Sequence, residues 1–216
     1  MLKGFWNLLF PPKCVLCRKL LSRQEQDLCR RCRIEAPEYP MPKNHISFVA
    51  GWTAVWYYRG DVRESLLRYK FRNVRSYAGC YGRQIAELLR SHDWTYFDLV
   101  TWVPVSAARK AERGYDQVEL IAQEVAKELN LPLVPTLKKI RNTLPQSGFS
   151  RPDQRLANVK NVYIVPDRQR ILEKRILLLD DIITTGATVC ECSRVLSIAG
   201  AKKIYCASVA AAEQDK

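Results

Sequence analysis

The sequence predicts an α/β chain: an open, Rossmann-like parallel sheet with helices on its faces, behind a small cysteine-rich module. Three observations carry this. Strand-length apolar runs alternate with amphipathic helical stretches from residue 99 onward, as a parallel sheet requires. One of those runs, 176–179, is apolar in succession, the pattern of a central strand buried on both faces. Four cysteines stand in two C-x-x-C pairs near the start, "CVLC" at 14–17 and "CRRC" at 29–32.

Length and composition set the outer bounds. A chain of 216 residues buries one sizeable core with room for a small appendage. Its apolar content, 47%, excludes a disordered chain. No apolar run approaches the about 18 residues that span a bilayer. The patch 5–10 is short and ends on Pro11 and Pro12. A soluble, intracellular chain is expected, with that patch packing on its own module or touching a membrane surface. The net charge of +13 attracts phosphorylated metabolites, nucleic acid and acidic head groups alike.

The cysteine pairs define the first module, 1–35. Two thiolate pairs, each two residues apart in spacing, close a tetrahedron around zinc, so Cys14, Cys17, Cys29 and Cys32 are the expected ligands of a structural ion. The short spacer argues for a compact knuckle. Cys80, Cys190, Cys192 and Cys206 are scattered, which suits core positions in a reducing compartment better than a disulfide framework. Basic residues flank the pairs, as a nucleic-acid surface or as solvated charge.

The remaining elements follow in order. Residues 36–47, rich in proline, read as a semi-rigid linker, and a second domain, 48–216, begins after it. Dense β-branched and aromatic residues over 48–58 predict a strand or hairpin-like edge, with Trp52, Trp56 and Tyr58 as packing residues. "DVRESLLRYKFRN" places Val62, Leu66 and Tyr69 on one helical face; Arg68, Lys70 and Arg72 form either a basic track beside the ligand site or a solvated face. A helix over 77–89 and a strand over 99–105 come next. The helix 117–129 is well specified: Val118, Ile121, Ala122, Val125 and Leu129 form one stripe, and Asp116 with Glu119 has capping-box spacing. A short strand near Leu133, a long polar excursion over 141–161, the strand 175–179, a helix with Val189, Cys192, Val195, Leu196 and Ala199 inward, and a strand over 204–209 complete the pattern. His45 and His92 receive no role.

The stretch "ILLLDDIITTGATV" concentrates the chemistry. In an open parallel sheet, ligands bind beyond the carboxyl ends of the strands. Asp180 and Asp181 emerge at that edge, and "TTGAT" opens a helix whose free amides and dipole suit a phosphate. Two carboxylates beside a phosphate cradle suit a sugar with vicinal hydroxyls and a phosphate ester.

This run resembles the phosphoribosyl pyrophosphate (PRPP) motif of type I phosphoribosyltransferases. The resemblance implies that Asp180 and Asp181 act as the catalytic acids at the ribose, that Thr184, Thr185, Gly186, Ala187 and Thr188 hold the 5-phosphate, and that magnesium accompanies PRPP. Together with "YYRGDVRESLLRYKFRN", "VPVSAARKAERGYDQVELIAQEVA" and "RNTLPQSGFSRPDQRLANVKN", in this order, it is similar to the ComF/GntX family across nearly the whole chain. That likeness implies pyrophosphate binding at Ser106, Arg109 and Arg113, and a flexible loop bearing Gln146 and Arg155. It also implies a cytoplasmic protein, or one at the inner face of the membrane, that supports uptake and handling of single-stranded DNA in natural transformation beside DNA-processing or membrane-associated uptake proteins. Two alternatives stand: a non-catalytic, zinc-containing nucleic-acid adaptor, and an active phosphoribosyltransferase of nucleotide metabolism or salvage.

Overall fold

The computed structural model describes residues 11–94, 96–141 and 159–213. The knuckle comes first and leads into a short helix, α1 (Arg30–Glu35), with Cys29 at its N-cap. Strand β1 (Gly51–Tyr57) is followed by α2 (Gly60–Phe71) and α3 (Tyr77–Ser91). Next come β2 (Leu99–Trp102), α4 (Ala107–Arg113), α5 (Gln117–Leu129), and a two-stranded ribbon of β3 (Lys138–Lys139) and β4 (Tyr163–Ile164). Strand β5 (Arg175–Ile183), helix α6 (Ala187–Ile198) and strand β6 (Lys203–Ala211) close the described chain.

The main sheet runs β1-β6-β5-β2, with every pairing parallel. The all-apolar run therefore lies centrally, as its composition demands. Side chains alternate across it: Leu177 and Leu179 pack with Tyr69, Tyr81 and Ile121 on one face. Ile176 and Leu178 pack with Val189, Cys192 and Leu196 on the other. Helices α2, α3 and α5 thus cover one face and α6 the opposite one. Because the helices after the neighbouring strands β2 and β5 lie on opposite faces, the carboxyl ends of those two strands mark the switch point where open α/β sheets bind ligands.

Asp116 fixes the first turn of α5, accepting from the Val118 and Glu119 amides at 3.0 and 3.2 Å. Gly82 sits where α3 crosses α5. A Cβ there would lie 2.4 Å from the Glu124 Cβ and 3.2 Å from the Val125 nitrogen, so only glycine permits this approach. Gly82→Ala is expected to cost about 2–3 kcal/mol, because the clash is with another helix's framework. A urea midpoint unchanged from wild type would refute that close crossing.

Both rims of the sheet are flanked by short, irregular stretches. The Tyr39 amide donates to the Val55 carbonyl at 3.0 Å and the Tyr57 amide to the Pro37 carbonyl at 2.7 Å, so residues 37–39 lie along the outer side of β1. At the other rim, the Val100 amide donates to Pro132 and the Val134 amide to Val100, each at 2.9 Å. The expected strand near Leu133 is this single bridge.

Two strand boundaries differ from expectation. Strand β2 stops at Trp102 and the chain turns away through Pro104. Strand β5 continues past Leu179 to Ile183, because its backbone stays paired with β6: Asp180 faces Ser208 and Ile182 faces Ala210.

The candidate sugar-phosphate edge and the cysteine knuckle

The extended β5 decides where the two acids go. By strand alternation, Asp181 falls on the same face as Leu177 and Leu179, and Asp180 on the face of Ile176 and Leu178. Each acid consequently meets different neighbours. The Asp181 Oδ2 is 2.9 Å from the Lys70 Nζ, in an ion pair whose side chains are only 13% and 22% exposed. Asp180 is partly buried on the α6 side and accepts from the Asp181 amide at 2.8 Å. Burial, then the neighbouring Asp181 carboxylate, push the Asp180 carboxyl up to about 8, with Lys70 opposing.

Beyond the acids the chain turns at 184–186 into α6. Gly186 is the N-cap with φ +75°, a left-handed conformation that favours glycine, and Ile46 lies 2.9 Å from where its Cβ would be. No side chain caps the helix. The Thr185 Oγ1 is buried and has no hydrogen-bond partner among the described residues, an unusual state for a buried hydroxyl. Ala187 and Thr188 form the first turn of α6, so the whole 184–188 stretch surrounds one helix start.

The second expected loop leaves β2 alongside. The Val103 amide donates to the Leu179 carbonyl at 2.9 Å, which places the 103–106 turn next to Asp180. Buried Asp116 holds that turn from behind, accepting from the Val105 amide at 3.0 Å and the Trp102 Nε1 at 3.3 Å. Ser106 caps α4, its Oγ accepting from the Arg109 amide at 3.3 Å, and Arg109 lies on that helix. Arg113 closes it, with Gly114 turning the chain at φ +76°. Gln146 and Arg155 lie outside the described residues.

Of the cations read as a basic track or a solvated face, Lys70 reaches this edge, and the β3–β4 ribbon supplies two neighbours that the sequence reading does not name. Lys139 lies opposite Tyr163, its Nζ 5.6 Å from the ring centre. Burial, then Arg109, lower the Lys139 pKa, while Cys192 and Asp180 oppose that shift, so the ribbon lies close to both loops. The three cations of "RYKFR" separate: Lys70 turns to Asp181, Arg68 turns to the knuckle, and Arg72 stays exposed. Trp52 and Trp56 are 4% and 3% exposed, which makes them packing residues and removes them as base-stacking platforms.

At the knuckle, one ligand atom from each of Cys14, Cys17, Cys29 and Cys32 lies within 4.8 Å of the others, and the Cys17 and Cys29 sulfurs are 3.6 Å apart. Sulfurs bound tetrahedrally at about 2.3 Å from zinc sit about 3.8 Å apart, so the cluster fits that ion. Burial pushes the Cys14 and Cys32 thiols up, so their thiolates need a cation. The knuckle is also anchored on the α/β body. The Ser65 Oγ donates to the Val15 carbonyl at 2.7 Å, Arg68 donates to the Val15 and Leu16 carbonyls, and Arg83 forms a two-pronged pair with Asp27 at 2.9 Å for each prong. Leu16 and Leu28 join the same apolar cluster as Leu66 and Tyr81.

Comparison with known proteins agrees with both parts. Residues 119–216 match the phosphoribosyl transferase domain, and residues 5–42 match the double zinc ribbon domain. Within 5–42 the four cysteines supply one tetrahedral set. Competence protein F of Haemophilus influenzae is 26% identical over 215 residues, covering 89% of this chain and 93% of its own. DNA utilization protein YhgH of Escherichia coli is 24% identical over 214 residues, covering 94% and 90%. Competence protein ComFC of Bacillus subtilis is 27% identical over 145 residues, 66% of this chain and 56% of that one. Among solved structures, glutamine PRPP amidotransferase from B. subtilis aligns with a TM-score of 0.44 and 21% identity over 65% of this chain and 30% of that chain. The chain is an α/β protein that carries a phosphoribosyltransferase domain behind a zinc ribbon. It is similar to the competence protein F, ComFC and YhgH proteins.

Proposed function

We propose that this chain binds a pentose 5-phosphate of the PRPP type, with magnesium, at the edge between β2 and β5. One observation carries the reading. Two acids at the end of the central strand run directly into a glycine turn that opens α6, and the buried Thr185 hydroxyl there has no partner among the described residues. A phosphate at that helix start would supply an acceptor for that hydroxyl and meet the positive end of the helix dipole.

The roles follow from chemistry. Asp180 and Asp181 take the ribose hydroxyls, Thr184 to Thr188 take the 5-phosphate, and Ser106, Arg109 and Arg113 take the pyrophosphate. Bound magnesium would offset the charge of the pyrophosphate oxygens. Positive charge developing at the anomeric carbon during pentosyl transfer would be favoured by the acids beside it. The held 103–106 turn keeps the leaving group in place, because Asp116 fixes its backbone. Gln146 and Arg155, outside the described residues, keep only the role that the family resemblance implies.

Calorimetry with PRPP and magnesium tests this. Asp180→Asn/Asp181→Asn is expected to weaken binding about 100-fold or more, since each replacement removes an acceptor oxygen for the ribose hydroxyls. Equal affinity in wild type and variant, or no binding to either, would remove the sugar-phosphate assignment.

The names of the relatives, competence protein and DNA utilization protein, support a competence-related setting; within it this reading puts single-stranded DNA handling in the cytoplasm or at the membrane's inner face. The net charge of +13 supports a phosphate-backbone partner. No helix among the described residues is long and apolar enough to cross a membrane. A non-catalytic adaptor and a pentosyl-transferring enzyme part company on turnover: consumption of PRPP in the presence of candidate acceptors marks the enzyme.

A further inference from the structure

Lys70 is placed with more care than an incidental surface cation. It stands in the last turn of α2, and that turn is fixed on three sides. The Gln117 Nε2 donates to the Lys70 carbonyl at 3.3 Å, the Tyr115 hydroxyl donates to the Tyr69 carbonyl at 3.2 Å, and the Tyr69 hydroxyl donates to the Gln117 carbonyl at 2.7 Å. From this held backbone the ammonium reaches Asp181. A mostly buried ion pair contributes little net stability compared with apolar side chains of similar volume. Stability alone therefore does not account for it.

The local charge balance does. The Asp181 carboxylate repels any anion brought beside it, Asp180 adds to that repulsion once its proton leaves, and a sugar phosphate brings an anion. We propose that Lys70 is a positioning residue of the sugar-phosphate site, its ammonium serving as the internal counter-charge that lets an anionic sugar phosphate settle beside Asp180 and Asp181. This rests on the phosphosugar reading above. Lys70 acts through Asp181 and leaves the ribose contacts to the acids.

The groups that act on Asp180 come from every neighbouring element: Asp181 on its own strand, Lys70 from α2, Asp116 at the start of α5, Lys139 and Tyr163 from the ribbon, Cys192 from α6 and Cys206 from β6. Lys70 and Lys139 are the cations of this set. Removing Lys70 leaves the proton on Asp180 harder to release.

Two measurements on wild type, Lys70→Met and Lys70→Arg test the proposal. The first follows the Asp180 carboxyl carbon by NMR in ligand-free protein with labelled aspartate, assigned through Asp180→Asn. Its midpoint, near pH 8 in wild type, is expected to rise by about one unit in Lys70→Met and to return in Lys70→Arg. The second is calorimetric titration with ribose 5-phosphate at pH 7 without metal, where Lys70→Met is expected to bind about tenfold more weakly and Lys70→Arg close to wild type. An unmoved Asp180 midpoint in Lys70→Met overturns the counter-charge, whatever the ligand does. A moved midpoint with unchanged ribose 5-phosphate affinity also overturns the proposal. Wild type that takes up no ribose 5-phosphate overturns the phosphosugar reading itself. If Met disturbs the helix, Lys70→Gln serves as the neutral variant.

Discussion

Asp180→Asn will stabilise the fold while removing a ligand contact. The Asp180 carboxyl holds its proton in the folded chain up to about pH 8, because burial and Asp181 disfavour its charge. The unfolded chain releases the same proton near pH 4. Between those values the folded state binds more protons, so the wild type loses stability as pH rises through this window. An asparagine has no proton to lose, and its Oδ1 still accepts from the Asp181 amide. The variant should match wild type near pH 4 and gain about 2–4 kcal/mol by pH 8, less than the full shift because the side chain is only partly buried. Thermal melts across pH 4–8 read the difference. Curves that stay parallel throughout would show that Asp180 is not held in its protonated form. Such a gain on losing a functional group marks a residue kept for what it binds.

Cys29→Ser should hold the metal more weakly and loosen the α/β body with it. Serine is a poor zinc ligand, and three thiolates leave the tetrahedron open. The expected loss of stability is on the order of 3–5 kcal/mol, since structural zinc binding is worth roughly 10–16 kcal/mol and three ligands keep part of it. The damage reaches beyond the knuckle. The Val15 and Leu16 carbonyls that accept from Ser65 and Arg68 lie between Cys14 and Cys17. Arg68 is two residues from Lys70 on the same helix. Metal analysis with a denaturant titration checks this, and a full zinc complement in the variant would exclude Cys29 as a ligand.

Much of this was legible in the sequence where local and global signals agreed. Helix α5 was readable to the residue, because Asp116 caps it and its apolar stripe keeps one period. The central strand was readable from its unbroken apolar run, but its end was not. Polar Asp180 and Asp181 look like a boundary, whereas pairing with β6 carries the strand onward through backbone bonds that no side-chain pattern reports. Helix α4 went unseen because "AARKAER" offers no apolar stripe, only the Ser106 cap. The ribbon joining Lys139 to Tyr163 is a contact between distant residues, which periodicity does not carry. Lys70 did leave a trace. It lies four residues after buried Leu66, so it occupies a position on the inward stripe of α2, and a charge there signals a partner inside.

The stretches beside β1 and β2 have a consequence for how the molecule behaves in a crowd. An open sheet ordinarily offers its outermost strands as templates for another chain. Here residues 37–39 bond along one margin, beginning at Pro37, which donates no amide, and the contact around Leu133 lies on the other. A foreign strand arriving at either margin meets places the chain's own backbone already holds.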